Sequence, residues 1–251
     1  MPRIGASTLF AWDEGYSPRL FQTIEQRRHL LWEVLDDSRL RLTEEVADKF
    51  NAMHKDHGIR FSVHTPFMDK DIFSSDKMKR EESIKDVRRS LELANRYEAE
   101  FAVIHPAYRN DTLPFDEIAG ILADLLDYSE RVGVIGVLEN LSSKTMLYKP
   151  EDLFAFKRAI NKPNFMLDLG HANVEDNLHA FIDVIREFSY FHIHDNVGDR
   201  DSHFPLGKGS INWDLFFSKV IQSKPDAPLV IENITLRDLD ESVQFALKRL
   251  S

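Results

Sequence analysis

The sequence predicts one α/β domain, a single (β/α)₈ barrel that extends over residues 1–251. Three observations support this prediction. The length of 251 residues matches one such barrel. Short apolar, β-branched runs alternate with longer amphipathic segments along the whole chain. No Gly/Ser linker, low-complexity tract or abrupt change of composition divides the chain into two domains.

Eight short apolar runs bounded by turn-forming or polar residues are predicted to be strands. In chain order they are Arg3–Phe10, Leu30–Leu35, Ile59–Val63, Phe101–Ile104, Val134–Leu138, Asn164–Leu167, Ser189–Ile193 and Pro228–Ile231. Their regular alternation with helical segments favours a closed barrel. An open, doubly wound sheet is the alternative, but no Gly-rich phosphate-binding sequence follows the first strand.

The segments between the strands are predicted to be helices. In Asp76–Tyr97, the residues Ile84, Val87, Leu91 and Ala94 recur at spacings of three and four and form one apolar stripe. Several of the other segments carry a Ser, Thr, Asp or Asn suited to capping near the start. These helices are predicted to begin at Ser17, Thr43, Phe115, Pro150, Asn177, Asn212 and Leu239.

Composition and charge exclude several classes of protein. With 43% hydrophobic and 29% charged residues, the chain is an ordinary globular protein with a sizeable core. The net charge of −10 opposes non-specific attraction to nucleic acid or anionic lipid. Because the chain has no Cys, any metal must be bound through nitrogen and oxygen. The N-terminal segment lacks a leader-like apolar core and no run approaches a membrane span, so we expect a cytoplasmic protein that binds no membrane.

The carboxyl ends of strands three to eight carry His, Asp or Glu. The residues are His64, His105, Glu139, Asp168, the pair His192 and His194, and Glu232. A single such residue is more often a surface or hydrogen-bonding group, but barrel strands bring these ends to one mouth. Carboxylates held close together repel one another unless a cation lies among them. The pattern therefore predicts a metal centre, and His with carboxylate suits zinc, manganese, cobalt or iron.

Further candidate ligands lie in the loops after strands six and seven. His171 follows Asp168 by three residues, and Asp201 and His203 form an Asp-x-His just ahead of the turn-prone sequence GKGS. As an isolated tripeptide Asp-x-His is a weak signal. Its position beside the predicted mouth is what makes it a candidate metal site.

Seven stretches in this order resemble a known superfamily: SVHTPF, VIHP, VLEN, MLDLGHAN, FHIHDN, DSHFPLGKG and VIEN. The chain resembles the xylose-isomerase-like TIM barrels from the first strand to the eighth. That superfamily includes sugar isomerases and epimerases together with the endonuclease IV type of apurinic endonuclease, AP endonuclease family 2. The resemblance implies a TIM barrel with one to three divalent metal ions, of which zinc is favoured.

The nuclease branch implies three metal positions, all of which carry the expected residue types. One would be bound by His64, His105 and Glu139, a second by Glu139 as bridge with Asp168, His192 and Glu232, and a third by His171, Asp201 and His203. For strand seven the family pattern selects His192 over His194. Spacing alone leaves that choice open, because both lie on the same face of the strand.

The isomerase and epimerase branch implies a single metal held by Glu139, Asp168, His192 and Glu232. There the two glutamates act as base and acid while the metal stabilises the enediolate, and His171 lies near a substrate hydroxyl. For a sugar phosphate, Lys208 or Arg109 could neutralise the phosphate and Trp12 could form a wall of the pocket. A solvated surface cation is the alternative for the two basic residues.

Some of the motifs favour the nuclease, and others favour the isomerase or epimerase. The nine filled ligand positions, and His203 in particular, favour the nuclease. The sequences HTPFMDK, LDLGH and HDNVG depart from the nuclease motifs, and no basic strip with interleaved aromatics faces the predicted mouth. We therefore predict a divalent-metal-dependent isomerase or epimerase of a sugar or sugar phosphate. A trinuclear zinc phosphodiesterase acting on abasic DNA is the alternative, and a non-catalytic barrel that binds metal or ligand is the second.

Overall fold

Eight parallel strands close into a barrel in which each strand pairs with its neighbours in the sequence, and β1 pairs with β8. The computed structural model describes residues 2–106, 113–141, 147–224 and 226–250. The strands are β1 (Arg3–Ser7), β2 (Leu31–Leu35), β3 (Arg60–His64), β4 (Phe101–Ile104), β5 (Ile135–Glu139), β6 (Phe165–Asp168), β7 (Phe188–Ile193) and β8 (Pro228–Ile231). The predicted (β/α)₈ barrel is confirmed.

Helices surround this barrel and connect its strands. Within the described residues they are α1 (Pro18–Gln26), α2 (Glu44–His57), α3 (Lys77–Arg96), α4 (Phe115–Arg131), α5 (Pro150–Ala159), α6 (Leu169–Val174), α7 (Leu178–Asp183), α8 (Trp213–Ser223) and α9 (Leu236–Leu250). None of these helices has the length and apolar character that a membrane span requires.

Capping residues explain at least four of the helix starts. Ser17, Thr43, Asp76 and Asn212 each precede a helix, and each side chain accepts a hydrogen bond from a backbone N–H in the first turn. The prediction for the last helix was wrong by three residues: α9 begins at Leu236 rather than Leu239.

The strand predictions agree with the structure to within one residue, except at the end of β1. The structure ends β1 at Ser7 instead of Phe10, because Thr8–Ala11 form a 3₁₀ turn. The Ser7 side chain accepts a hydrogen bond from Leu9 N at 3.4 Å and caps this turn. The apolar run that begins at Arg3 therefore extends beyond the strand, and its residues after Ser7 do not belong to the sheet.

Two layers of side chains fill the barrel interior. Leu31, Val103, Val137, Met166, Tyr190 and Val230 form an apolar cluster separate from the main core. The residues two positions later on the same strands are Glu33, His105, Glu139, Asp168, His192 and Glu232. Since side chains two apart on a strand point to the same face, the apolar layer is a floor beneath a polar layer at the mouth.

Gly5 of β1 makes room for this floor. A Cβ at position 5 would lie 2.8 Å from Val230 Cγ2 and 2.9 Å from Leu31 O, too close for any side chain. The much larger outer core packs between the strands and the helices, and its largest fully buried side chains include Trp32, Phe50 and Tyr97. The barrel therefore presents a rigid, closed base to the residues at its mouth.

Candidate metal centre

The two carboxylate oxygens of Glu139, at the end of β5, face different histidines. Its Oε2 lies 3.4 Å from His64 Nε2 and 3.8 Å from His105 Nε2. Its Oε1 lies 3.3 Å from His192 Nδ1. The side chain is almost completely buried. This placement is that of a carboxylate able to bridge two adjacent cations, as the resemblance implies for Glu139.

Three carboxylates converge on one ring nitrogen of His192. Besides Glu139 Oε1, His192 Nδ1 lies 3.4 Å from Glu232 Oε2 and 3.7 Å from Asp168 Oδ2. His192 and Asp168 are fully buried, and Glu232 is nearly so. The structure thus brings together the four residues Glu139, Asp168, His192 and Glu232, which we call the inner cluster.

A second group, which we call the outer cluster, consists of His171, Asp201 and His203 and is centred on Asp201 in the loop after β7. Asp201 Oδ2 lies 3.0 Å from His203 Nε2 and 3.3 Å from His171 Nε2. His194 Nε2 lies 3.6 Å from Asp201 Oδ1 and donates a hydrogen bond to Asp168 Oδ2 at 3.2 Å. The three residues expected for a third metal position are therefore adjacent. The fully buried His194, which the sequence leaves outside the ligand sets, joins them.

Three histidines direct Nε2 into the clusters, because Nδ1 donates a hydrogen bond to a backbone carbonyl. These bonds run from His64 to Thr65 at 3.0 Å, from His171 to Asn140 at 3.0 Å and from His203 to Glu232 at 3.1 Å. A hydrogen bond at one ring nitrogen fixes which nitrogen carries the free lone pair. The rings are thus oriented for ligation before any cation binds.

Burial and close charges shift the pKa values in the clusters. Burial disfavours the charged carboxylate of Glu139, but His192 and His64 hold its pKa well below the ordinary value. Burial raises the pKa of Glu232, with Glu33 and Asp168 adding to the effect. Burial lowers the pKa of His105 to about 3. For His64 burial is outweighed by Glu139, which raises the pKa to about 8.

The residues present fit a divalent cation. Glu139 Oε2 and His192 Nδ1 are buried atoms that make no hydrogen bond within the described residues, although both face several potential ligands. Ligand atoms lie within 4.8 Å of one another in groups that include His64–His105–Glu139, Glu139–Asp168–His192, Asp168–His194–Glu232 and His194–Asp201–His203. All donors are imidazole nitrogens or carboxylate oxygens, which suits zinc, manganese, cobalt or iron.

Two asparagines that were not predicted as site residues form hydrogen bonds to the backbone of two candidate ligands, Asp168 and His203. The Asn140 side chain donates to Asp168 O at 3.0 Å and accepts from Asp168 N at 2.6 Å. Asn233 Nδ2 donates to the carbonyl oxygen of His203 at 3.0 Å. Each asparagine directly follows a candidate ligand glutamate, so the repeated Glu-Asn after β5 and β8 is the signal that could have identified them.

A cavity of about 580 Å³ opens beside His105 and the outer cluster, and its volume is within the usual range for small-molecule sites. Its wall includes Phe67, Met68, Leu141, His105, His171 and Asp201. The Phe67 ring lies 5.0 Å from the rings of both His64 and His105. Trp12 is not among the residues that line this cavity; its ring lies 6.4 Å from that of Phe67, which does line it.

The structure places Lys208, one of the two residues predicted to bind phosphate, outside the mouth cavity. Lys208 lines a separate cavity of about 640 Å³ against α9, together with Phe245 and Lys248. Arg109 lies outside the described residues. In the described part of the mouth cavity, the basic side chains are Lys70 and Lys79, and Lys70 Nζ is paired with Asp86 at 2.6 Å.

The fold and these clusters define the chain as a TIM barrel with a candidate metal centre at its mouth. It belongs to the family of xylose isomerase-like TIM barrels, whose model matches residues 21–249. Among curated proteins, the uncharacterized protein MJ1614 of Methanocaldococcus jannaschii is 26% identical over 239 residues, covering 90% of this chain and 94% of that protein.

Solved structures share the whole barrel. A D-tagatose 3-epimerase-like protein superposes with a TM-score of 0.88 at 24% identity, covering 99% of this chain and 97% of that one. L-ribulose 3-epimerase gives 0.80 at 16% identity, with coverage of 100% and 95%. The IOLI protein with a bound zinc atom gives 0.79 at 15% identity, with coverage of 99% and 98%. At these identities the similarity establishes the fold.

Proposed function

We propose that this protein is a divalent-metal-dependent isomerase or epimerase that acts on a sugar or sugar phosphate by proton transfer at carbon. The observation that carries the proposal is the convergence of Glu139 and Glu232 on His192 Nδ1, at 3.3 Å and 3.4 Å. The adjacent His171 and Asp201 line a cavity large enough for a sugar. Two carboxylates from different strands thereby approach one small volume. Such a pair can serve as base and acid for a carbon-bound proton.

The inner cluster Glu139, Asp168, His192 and Glu232 would hold the cation. When bound there, a divalent cation supplies a Lewis acid that stabilises negative charge on adjacent substrate oxygens. Glu139 and Glu232 would remove and return the proton. His171, whose Nε2 faces Asp201 at the cavity wall, would bind a substrate hydroxyl. The apolar floor of the barrel keeps water from approaching these carboxylates from below.

Three further observations support a small polyol as substrate. Sugar epimerases and a zinc-bound protein are among the structures with the same fold. The net charge of −10 and the scarcity of basic side chains in the described mouth cavity oppose a nucleic-acid substrate. The wall of Phe67, Met68 and Leu141 beside polar groups is typical of a site that binds a small molecule.

One observation favours a second candidate, a trinuclear zinc phosphodiesterase acting on abasic DNA. The outer cluster brings His171 and His203 to within 3.3 Å of Asp201, beyond the four residues that an epimerase needs. Multinuclear sites activate water and stabilise the leaving oxygen in phosphodiester hydrolysis. We rank this function second because the described lining of the mouth cavity carries two lysines, of which Lys70 is paired with Asp86, and this is little basic surface for a DNA backbone.

Solvent-exchange labelling separates the two functions. The metal-loaded protein is incubated in heavy water with a panel of ketoses and sugar phosphates, and an abasic duplex is tested in parallel. We expect deuterium beside the carbonyl of at least one sugar, loss of exchange in Glu139→Gln and Glu232→Gln, and an intact duplex. Incision of the duplex at catalytic rates with every sugar unlabelled would establish the phosphodiesterase instead.

A further inference from the structure

We propose that Glu33 of β2 is a positioning residue that holds the ring of His192 with Nδ1 toward the inner cluster. Glu33 Oε2 accepts a hydrogen bond from His192 Nε2 at 2.9 Å. The bond occupies one ring nitrogen and leaves the other facing Glu139, Asp168 and Glu232. The inference rests on the proposed function, since it concerns how the cation of that site is held.

The Glu33 carboxylate is itself held by a hydrogen bond from Tyr190, which lies deeper in the barrel. Its Oε2 also accepts a hydrogen bond from Tyr190 OH at 2.7 Å, and the Tyr190 oxygen lies 2.7 Å from Ser62 Oγ. Glu33, Tyr190 and Ser62 are all fully buried. Three strands, β2, β3 and β7, thus contribute to one hydrogen-bonded chain that ends at His192.

His192 differs in this respect from His64, His171 and His203. His64, His171 and His203 donate Nδ1–H to backbone carbonyls, whereas His192 donates Nε2–H to a carboxylate. A carboxylate partner makes the imidazole a stronger metal ligand than a carbonyl does, because it stabilises positive charge on the ring. The strongest support is therefore given to the ligand on which three carboxylates converge.

Stability alone does not explain an acidic side chain at position 33. Glu33 Oε1 is buried and makes no hydrogen bond to any described residue. An incompletely paired carboxylate in a barrel interior costs free energy that an apolar side chain would avoid. Tyr190 belongs to the apolar floor and Ser62 is fully buried, so neither contacts solvent. The hydrogen bond from His192 Nε2 supports orientation of that ring as the role of Glu33.

The test is the equilibrium affinity for zinc and manganese, measured by competition with a chromogenic chelator. The Glu33→Leu variant loses the acceptor, and we expect its affinity to fall roughly 10- to 100-fold, the range found when such partners of metal ligands are removed. The Glu33→Gln variant keeps an acceptor oxygen without the charge, so we expect an intermediate loss. Tyr190→Phe leaves the bond to His192 in place and should change affinity less than either.

Two further measurements distinguish a positioning role of Glu33 from a purely structural one. The melting temperature of the metal-free Glu33→Gln variant should stay close to that of the wild type, and excess metal should restore its turnover. Equal metal affinity in wild type and both Glu33 variants overturns the inference while leaving the proposed function intact. Absence of metal binding by the wild type overturns the proposed function and the inference with it. If the Leu variant does not fold, the Gln variant alone decides.

Discussion

The imidazole rings of His194 and His203 are stacked, with centroids 4.0 Å apart and planes inclined by 20°. A histidine nitrogen binds a cation in the plane of its ring, so two nearly parallel rings do not direct their lone pairs to one point. His203 Nε2 faces Asp201, whereas His194 Nε2 is engaged by Asp168. In this arrangement His203 is the better ligand for a cation at Asp201, and His194 supports Asp168.

This stacking leads to a prediction about metal stoichiometry. In His203→Ala, the outer cluster loses a ligand that does not contact His192, so we expect the loss of about one metal equivalent with the inner cluster still occupied. Elemental analysis of the zinc-loaded protein measures this. His57→Ala, at the exposed C-terminal end of α2, is the matched control and should keep the wild-type stoichiometry. An unchanged metal content in His203→Ala would assign His203 to substrate binding or structure.

Metal removal should lower thermal stability. Without a cation, Glu139, Asp168 and Glu232 remain together at the mouth with only histidine protons to offset their charge. A cation at about 100 times its dissociation constant stabilises the fold by roughly 2.7 kcal/mol, which corresponds to about 5–10 °C for a chain of this size. Calorimetry before and after dialysis against a chelator tests this, with zinc or manganese added back. Identical transitions with and without metal would contradict a folded-state site.

The ion pairs of Glu100 predict a pH-dependent contribution to stability. Glu100 lies between Arg3, at 2.8 Å, and Arg60. Burial opposes its charge, but hydrogen bonds from Arg60 and Arg3 lower its pKa below the ordinary value of 4.5. A lowered folded pKa means that the stabilisation is present above about pH 4.5 and is lost as the pH falls through the folded value.

Glu100→Gln should therefore cost about 1 kcal/mol at pH 7, a figure kept small because the pair is partly solvated. The cost should be smaller at pH 3 than at pH 7, because the stabilisation is lost as Glu100 becomes protonated. Urea denaturation at both pH values measures it, and Glu25→Gln, an exposed glutamate of α1, is the control. A cost that is the same at pH 3 and pH 7 would show that the charge of Glu100 is not its source.

The fold and most of the mouth were predictable because both follow from alternation along strands. Each of Val137, Met166 and Val230 is followed two residues later by an acidic residue, so the strand pattern alone points these residues to the mouth. Glu33 shares this spacing with Leu31 but was missed, because it lies in the middle of β2 rather than at its end. The signal that could have revealed it was the presence of Glu33 inside the otherwise apolar run LWEVL.

The loop residues were less predictable, since their positions depend on hydrogen bonds between distant segments. His203 has a positive φ of 47°, and its loop is held by Asn233. Helix α6 was not predicted because Asp168 both ends β6 and caps the helix, accepting from His171 N at 2.7 Å. Pattern reasoning assigns one role to each residue, and here one residue has two.

The last prediction concerns Gly170 in α6. A Cβ at this position would lie 1.9 Å from His194 Cε1 and 2.5 Å from His194 Nε2, so the ring must move if any side chain is introduced. His203 stacks on the His194 ring at 4.0 Å and limits that movement. We expect Gly170→Ala to cost about 1–3 kcal/mol, the usual penalty for overpacking a buried site, and to weaken metal binding through the displaced Asp168–His194 hydrogen bond.

Gly120→Ala provides the matched control. Gly120 is an exposed position of α4 where a Cβ would meet nothing within 4 Å, so alanine should raise stability by up to about 1 kcal/mol through its higher helix propensity. Urea denaturation of both variants, with zinc titration of each, gives the comparison. Opposite signs of the two stability changes, with zinc affinity lowered in Gly170→Ala alone, are the expected result. A gain in stability in both variants would mean that the His194 ring is free to move, and an unchanged zinc affinity in Gly170→Ala would mean that its contact with Asp168 does not contribute to metal binding.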